Sequence, residues 1–307
     1  MRFPKNLLSV DDLTQDSTAH IMELASVMEH RFQEQRTLDL LKGHLLTSLF
    51  FEPSTRTRLS FETAMWRLGG GVQTVAGNVS SVEKGESLYD TAQVISRYSD
   101  IVAMRHERVG SVAEFAEGSS VPVINAGDGS GEHPTQALLD MYTILKQHKK
   151  LEGLVMGCVG DLKHGRAVRS TIKLLSRYRV HFLLISHPSL RLEPALEDLI
   201  RSNGSTCEIS QDLIGHLRSL DVLYMTRVQQ ERFADPLEYE NVKSSYTLSS
   251  ENLQKAPAHM SILHPLPRVV EIARNVDEDV RAKYFDQVSS GLYVRMAVLT
   301  MMMNKKL

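Results

Sequence analysis

The chain is 307 residues long, with 42% hydrophobic and 23% charged residues, enough apolar material for two domains of about 150 residues each. Its 35 Lys and Arg nearly balance 37 Asp and Glu, a formal charge of -2, so no general basic field recruits nucleic acid or a membrane surface. Cys158 and Cys207 form neither a disulfide framework nor a metal pattern, the N-terminal MRFPKNLLSVDDL lacks a signal-peptide core, and no apolar run reaches about 18 residues; a cytoplasmic enzyme or subunit is the expectation.

The first predicted helix follows Asp16 and Ser17, either able to cap it, and places Ile21, Leu24, Ala25 and Met28 on one face. His44 to Phe51 reads as a short strand stopped by Glu52-Pro53. Phe61, Ala64, Met65 and Leu68 then show helical spacing, ended by Gly69-Gly70-Gly71. Further strands are expected at Asp100–Met104, Val121–Asn125, Leu154–Val159, His181–Ile185, Val222–Met225 and Ser261–Leu263, with helical patterns between them, such as Val168, Ile172 and Leu175 after Gly165. Such alternation predicts an α/β protein of two domains, each a mainly parallel sheet flanked by helices. No internal repeat or low-complexity tract interrupts it, and the polar stretch Gln147–Gly153 marks the expected domain change.

Ligands of open α/β sheets gather beyond the carboxyl ends of strands. Those positions hold Ser54-Thr55-Arg56-Thr57, Arg105-His106, His133, Arg166, Arg227 and His264-Pro265-Leu266-Pro267-Arg268. At Ser54–Arg58 the residues alone leave two readings: a phosphate site at a helix N-terminus, or a hydroxyl N-cap followed by surface arginines. There is no GxxxxGK[ST] loop, and Gly127-Asp128-Gly129-Ser130-Gly131 reads as a tight turn. Taken singly, Lys84, Gln136, Arg166 and Arg227 would be solvated surface groups, and His106 and His133 structural or loop histidines.

Together they resemble something more specific. Phe50-Phe51-Glu52-Pro53-Ser54-Thr55-Arg56-Thr57-Arg58 is similar to the carbamoyl-phosphate signature of the aspartate and ornithine carbamoyltransferase family. His133-Pro134-Thr135-Gln136, Ser80-Ser81-Val82-Glu83-Lys84-Gly85-Glu86 and His264-Pro265-Leu266-Pro267-Arg268 resemble the aspartate branch, and the Ser-Met-Gly and His-Cys-Leu-Pro signatures of ornithine enzymes are missing. The resemblance runs from about Asn6 to Leu299. It departs at Val269-Val270-Glu271, where Val270 replaces a usual acidic residue.

The resemblance implies transfer of the carbamoyl group of carbamoyl phosphate to L-aspartate, an early step of pyrimidine synthesis, with no metal or cofactor. It makes residues 1–148, completed by a C-terminal helix over 285–307, a carbamoyl-phosphate-binding domain and 149–284 an aspartate-binding domain, with the ligand site at the interdomain cleft. It assigns carbamoyl phosphate to Ser54, Thr55, Arg56, Thr57, Ser80, Arg105, His133, Gln136 and the carbonyls of Leu266 and Pro267. It gives the chemistry to Arg56, Thr57, Lys84, Arg105 and His133, and aspartate to Lys84, Arg166, Arg227 and Gln229. Ser80 and Lys84 would serve a neighbouring subunit, which implies a homotrimer with shared active sites. Glu52, Arg232 and Glu238 are candidates for ion pairs that hold a closed form. Another amino acceptor and a non-catalytic scaffold are the alternatives, and whether regulatory chains or a dihydroorotase join a larger assembly stays open.

Overall fold

The computed structural model describes residues 3–76, 85–228, 236–242 and 246–305. The chain divides into two compact units, Met1–Leu139 with Val288–Leu307, and Asp140–Gln287.

The first unit runs through α1 (Gln15–Glu34), β1 (Leu45–Phe50), α2 (Thr55–Arg67), β2 (Gly71–Ala76), α3 (Leu88–Ile95), β3 (Ile101–His106), α4 (Ser111–Gly118) and β4 (Val123–Asp128) into α5 (Pro134–His148). Its four strands are parallel, in the order β2-β1-β3-β4. A parallel sheet covered by helices on its faces needs nearly continuous apolar strands, and β4 is buried along its whole length. Leu49, Val102, Met104 and Val123 of the sheet pack with Leu88, Ala92, Val112 and Phe115 of α3 and α4.

Two local expectations change. The cap of α1 is Thr14 rather than Asp16 or Ser17: Ser17 N–H donates to Thr14 Oγ1 (3.1 Å) and Thr14 N–H to Ser17 Oγ (2.9 Å), a reciprocal pair that starts the helix at Gln15. The run Gly69-Gly70-Gly71 does more than end a helix. Gly69 takes φ +84° just beyond α2, as a helix C-terminus favours, and Gly71 is already the first residue of the edge strand β2.

The second unit contains β5 (Val155–Val159), α6 (Arg166–Leu175), β6 (His181–Ile185), α7 (Pro194–Ser202), β7 (Thr206–Ser210), α8 (Leu213–His216), β8 (Val222–Met225), α9 (Pro236–Val242), α10 (Ser250–Leu253) and β9 (Ser261–Leu263), and ends at the start of α11 (Asp286–Met302). Its parallel sheet has the order β7-β6-β5-β8-β9. Val159, Ile185, Leu223, Met225, Ile262 and Tyr284 belong to its core. The strand β7 has no sequence signature because it is a half-exposed edge, Thr-Cys-Glu-Ile-Ser. At the other end of the scale, Gly160 has φ +110°, and a Cβ there would lie 2.3 Å from the Thr226 carbonyl. Only glycine permits that approach, which brings together the backbone leaving β5 and β8.

Histidines give the fold an acid limit. Burial, then the neighbouring Arg108, lowers His106 below the ordinary histidine value, and burial lowers His148, with Asp221 opposing and His259 adding to the effect. His148 Nε2 lies 2.9 Å from Ser261 Oγ. A folded value below the unfolded one means that the unfolded chain takes up the proton first. Stability is therefore full above about pH 6.5 and falls as pH drops below it. Thermal unfolding from pH 7.5 to 5.5 should show this fall, and His148→Gln should flatten it. An equal slope in the variant would remove His148 from the account.

Candidate active site

Each sheet reverses its winding once. In the first, β1 leads to β2 on one side while β3 lies on its other side; in the second, β5 leads to β6 on one side while β8 lies on its other side. Ligand sites of such sheets form outside the carboxyl ends at these reversals. Of the residues singled out from sequence, Ser54 to Thr57 and Arg105 lie at the first reversal and Arg166 and Arg227 at the second, whereas His133 follows the edge strand β4 and the 264–268 loop follows the edge strand β9.

In the first unit, β1 hands over through Ser54 to α2, and Arg105 is the penultimate residue of β3. Ser54 occupies the N-cap position of α2 but makes no side-chain capping bond; its Oγ accepts from Arg105 Nη1 at 3.4 Å. The cap reading of this serine thus fails for its side chain. The first turn of α2, carrying Thr55, Arg56 and Thr57, presents backbone N–H groups and the positive end of the helix dipole, a natural place for an anion. Arg105 Nε also donates to Glu52 Oε2 at 3.1 Å. Glu52 thus pairs with Arg105, a partner that the sequence reading did not give it. Thr57 is buried, and its Oγ1 lies 3.5 Å from Nε2 of buried His133. The carbonyl of His133 accepts from the N–H groups of Gln136 (2.9 Å) and Ala137 (3.3 Å), which sets the histidine at the head of α5 with buried Gln136 on the first turn. Ser54 and Arg105 therefore meet directly, as do Thr57 and His133.

His106, next to Arg105, is occupied structurally. Its Nδ1 accepts the Arg108 N–H at 2.9 Å and its ring lies 4.9 Å from that of Phe51. The Gly127–Gly131 segment turns tightly, with Gly131 N–H donating to the Asp128 carbonyl at 2.7 Å.

In the second unit, Arg166 is the first residue of α6 after β5 and Arg227 follows β8, so two half-buried arginines leave neighbouring strands. Next in the sheet, β9 runs into His264-Pro265-Leu266-Pro267-Arg268. This loop is framed from within. His264 Nδ1 accepts the Leu266 N–H at 2.7 Å, so the ring proton sits on Nε2, which donates to Glu271 Oε1 at 2.7 Å. The second Glu271 oxygen accepts the N–H groups of Val269 and Val270 at 3.1 and 3.0 Å. Burial alone would raise the Glu271 carboxyl, but His264 and the backbone N–H groups of Glu271 and Val269 bring it below the usual carboxylate range. Val270 contributes to the loop through its backbone, and its side chain is 45% exposed. The missing acid at this position therefore leaves the frame untouched. Arg268 is anchored on Asp277, donating from Nη2 to Oδ2 at 2.6 Å, and lies over the Tyr284 and Phe285 rings.

Ser80, Lys84, Gln229 and Arg232, and the side chain of Glu238, lie outside the described residues. Among the described residues no group of three or more His, Cys, Asp or Glu side chains is arranged to hold a metal ion. Sequence reasoning gave no role to His264 and Glu271. It also passed over Asp140, an acid set inside the apolar run Ala-Leu-Leu-Asp-Met-Tyr, which was a readable sign of a buried polar partner.

Two family models match in tandem: "Aspartate/ornithine carbamoyltransferase, carbamoyl-P binding domain" over residues 5–146, and "Aspartate/ornithine carbamoyltransferase, Asp/Orn binding domain" over 152–302. The aspartate carbamoyltransferase catalytic subunit of Thermococcus kodakarensis is 46% identical over 296 residues, 96% of each chain. The multifunctional protein CAD of Squalus acanthias is 44% identical over 98% of this chain, which corresponds to 13% of that protein. The crystal structure of Trypanosoma cruzi aspartate transcarbamoylase with carbamoyl phosphate and aspartate superposes with a TM-score of 0.92 at 36% identity, covering 96% of each chain.

Proposed function

This chain belongs to the aspartate/ornithine carbamoyltransferase family, and on that premise we propose how its residues divide the work. The chain transfers the carbamoyl group of carbamoyl phosphate to L-aspartate, giving N-carbamoyl-L-aspartate and phosphate, an early step of pyrimidine synthesis. The deprotonated amine nitrogen of aspartate bonds to the carbamoyl carbon, and the bond from that carbon to the phosphate oxygen breaks. The departing phosphate takes up the amine proton, so no side chain has to act as base.

The first unit holds the acyl phosphate. Ser54, Thr55, Arg56 and Thr57 bind the phosphate at the head of α2, Arg105 reaches it from β3, and Ser80 and Lys84 complete it from a neighbouring subunit. Thr57, Arg105 and His133 donate to the carbamoyl oxygen as negative charge develops there; fixed donors stabilise such an oxyanion without reorganising at the moment of reaction. Gln136 and the carbonyls of Leu266 and Pro267 orient the carbamoyl amine. Arg166 and Arg227 grip the two carboxylates of aspartate, a task for which forked guanidinium donors suit better than lysine; Gln229 and Lys84 assist.

The aspartate reading rests on one observation: Arg166 and Arg227 leave neighbouring strands at the reversal of the second sheet. Phosphate release from carbamoyl phosphate, with L-aspartate and L-ornithine run in parallel, tests it. Turnover with aspartate alone is expected, turnover with ornithine alone would reassign the second unit, and no turnover from the folded chain would favour a scaffold.

The shared site calls for a homotrimer. On α2, Leu59 is 50% and Trp66 65% exposed, beside Thr63 and Glu62 in an open groove that Thr37 and Arg67 complete. The edge strand β2 follows and leads into the segment that carries Ser80 and Lys84. The two exposed apolar side chains there, Leu59 and Trp66, support contact with a second copy of this chain. Trp66→Arg should dissociate the trimer in sedimentation and lower activity at least about tenfold, since single chains lack the neighbour's lysine. A fully active monomer would end the shared-site reading. No described helix is long and apolar enough to cross a membrane, and the cytoplasm is the proposed location. The match within CAD makes a larger multifunctional assembly a natural setting for this activity.

A further inference from the structure

Leu266 has φ +55°, a left-handed conformation that leucine rarely adopts, so its surroundings must impose it. Part of that frame is the His264–Glu271 pair. A second set of bonds reaches the start of the same loop from a fully buried carboxylate. The His264 N–H donates to Gln287 Oε1 at 2.8 Å, and Gln287 Nε2 donates to Asp140 Oδ1 at 2.8 Å. The other Asp140 oxygen accepts from Thr171 Oγ1 and Tyr224 Oη, each at 2.7 Å. Asp140 is 0% exposed and Gln287 3%. The Gln287 amide has one workable orientation: reversing it would turn its oxygen on the Asp140 carboxylate and its NH2 on the His264 N–H.

We propose that Gln287, held by Asp140, is a positioning residue for selection of the carbamoyl group. It sets the backbone entry of the 264–268 loop, and through it the Leu266 and Pro267 carbonyls that receive the carbamoyl NH2. This rests on the assignment of those carbonyls under the proposed function. Carbamoyl phosphate and acetyl phosphate have nearly the same shape and differ in an NH2 that donates against a CH3 that does not. A site built to receive N–H donors rejects the methyl analogue because its carbonyls are left unpaired. Carbonyls displaced from the N–H direction lose that preference while the phosphate contacts remain.

The test is direct titration of the full-length chain with carbamoyl phosphate and, separately, acetyl phosphate. Gln287→Met keeps the length and packing of the side chain but removes both bonds, and Gln287→Ala repeats the test with a smaller residue. Both should weaken carbamoyl phosphate at least about tenfold and acetyl phosphate less than about twofold, so that the ratio collapses. Tyr224→Phe removes a bond to Asp140 off the line to the loop; it should lower the unfolding temperature and leave the ratio unchanged. Equal weakening of both ligands, an unchanged ratio in Gln287→Met, or a Tyr224→Phe shift as large as that of Gln287→Met would overturn the proposal. A wild-type chain without preference for carbamoyl phosphate would overturn the carbonyl assignment beneath it, a separate and recognisable failure.

Discussion

Replacing Arg105 with alanine is expected to lower kcat about a thousandfold while the chain stays folded. The guanidinium belongs to the penultimate residue of β3 at the first reversal, bonded to Glu52 and Ser54, and in the proposed mechanism it meets charge on both the phosphate and the carbamoyl oxygen. Loss of a preorganised oxyanion donor costs a factor of about 10² to 10³, and the phosphate contact places Arg105 at the upper end. Stability should change little, because Glu52 is half-buried and water can solvate it once its partner is gone. Arg105→Lys should recover only a minor part, since a point charge cannot reproduce the fork. Removing the tether instead, Glu52→Ala, should cost about tenfold through poorer aim. Phosphate release with thermal unfolding on the same samples measures all three. An Arg105→Ala chain within tenfold of wild type would take Arg105 out of the chemistry.

The second large effect is expected at Arg227. Arg227→Ala should lower kcat/KM for aspartate by about 10²-fold or more, since each hydrogen bond to a charged group is worth about 1.5–3 kcal/mol and a fork makes two. Carbamoyl phosphate titrated alone should bind as in the wild type, because Arg227 is assigned to the acceptor. Arg166→Ala should behave in the same way. Loss of carbamoyl phosphate binding in either variant would show that the division between the two substrates is misdrawn.

Much of this was legible before any coordinates. Central parallel strands are buried on both faces and announce themselves as apolar runs, which is why β1, β3, β5, β6 and β8 were readable to within a few residues. The buried edge strands β4 and β9 were read as well, whereas the edges β2 and β7 carry no such mark. Gly71–Ala76 hid behind a glycine run and Thr206–Ser210 behind its polarity. At the site, position relative to strand ends picked out Ser54, Arg105, His133, Arg166 and Arg227, because chemistry at a sheet edge follows chain order. The supporting bonds were not readable. Glu52 to Arg105 spans 53 residues and Asp140 to Gln287 spans 147, and no local pattern encodes a partner that far away. Thr14 was missed for a smaller reason: three hydroxyl or carboxylate residues crowd the start of α1, and reciprocal bonding decides among them.

The two reversals, one per sheet, give each substrate its own address in the chain. Most side chains assigned to the acyl phosphate lie at or just beyond the ends of β1, β3 and β4, joined by the Leu266 and Pro267 carbonyls after β9, and the arginines assigned to the amino acid lie just beyond β5 and β8. Arg105 excepted, which lies in β3, these residues are outside the strands, and the residues that form the sheet cores are elsewhere. A change of acceptor is thus chiefly a matter of re-lettering the loops downstream of residue 160 that carry the carboxylate-binding arginines, on an unaltered scaffold, with the phosphate contacts after β1 kept. Kindred enzymes that carbamoylate different amines are the expected products of such a layout.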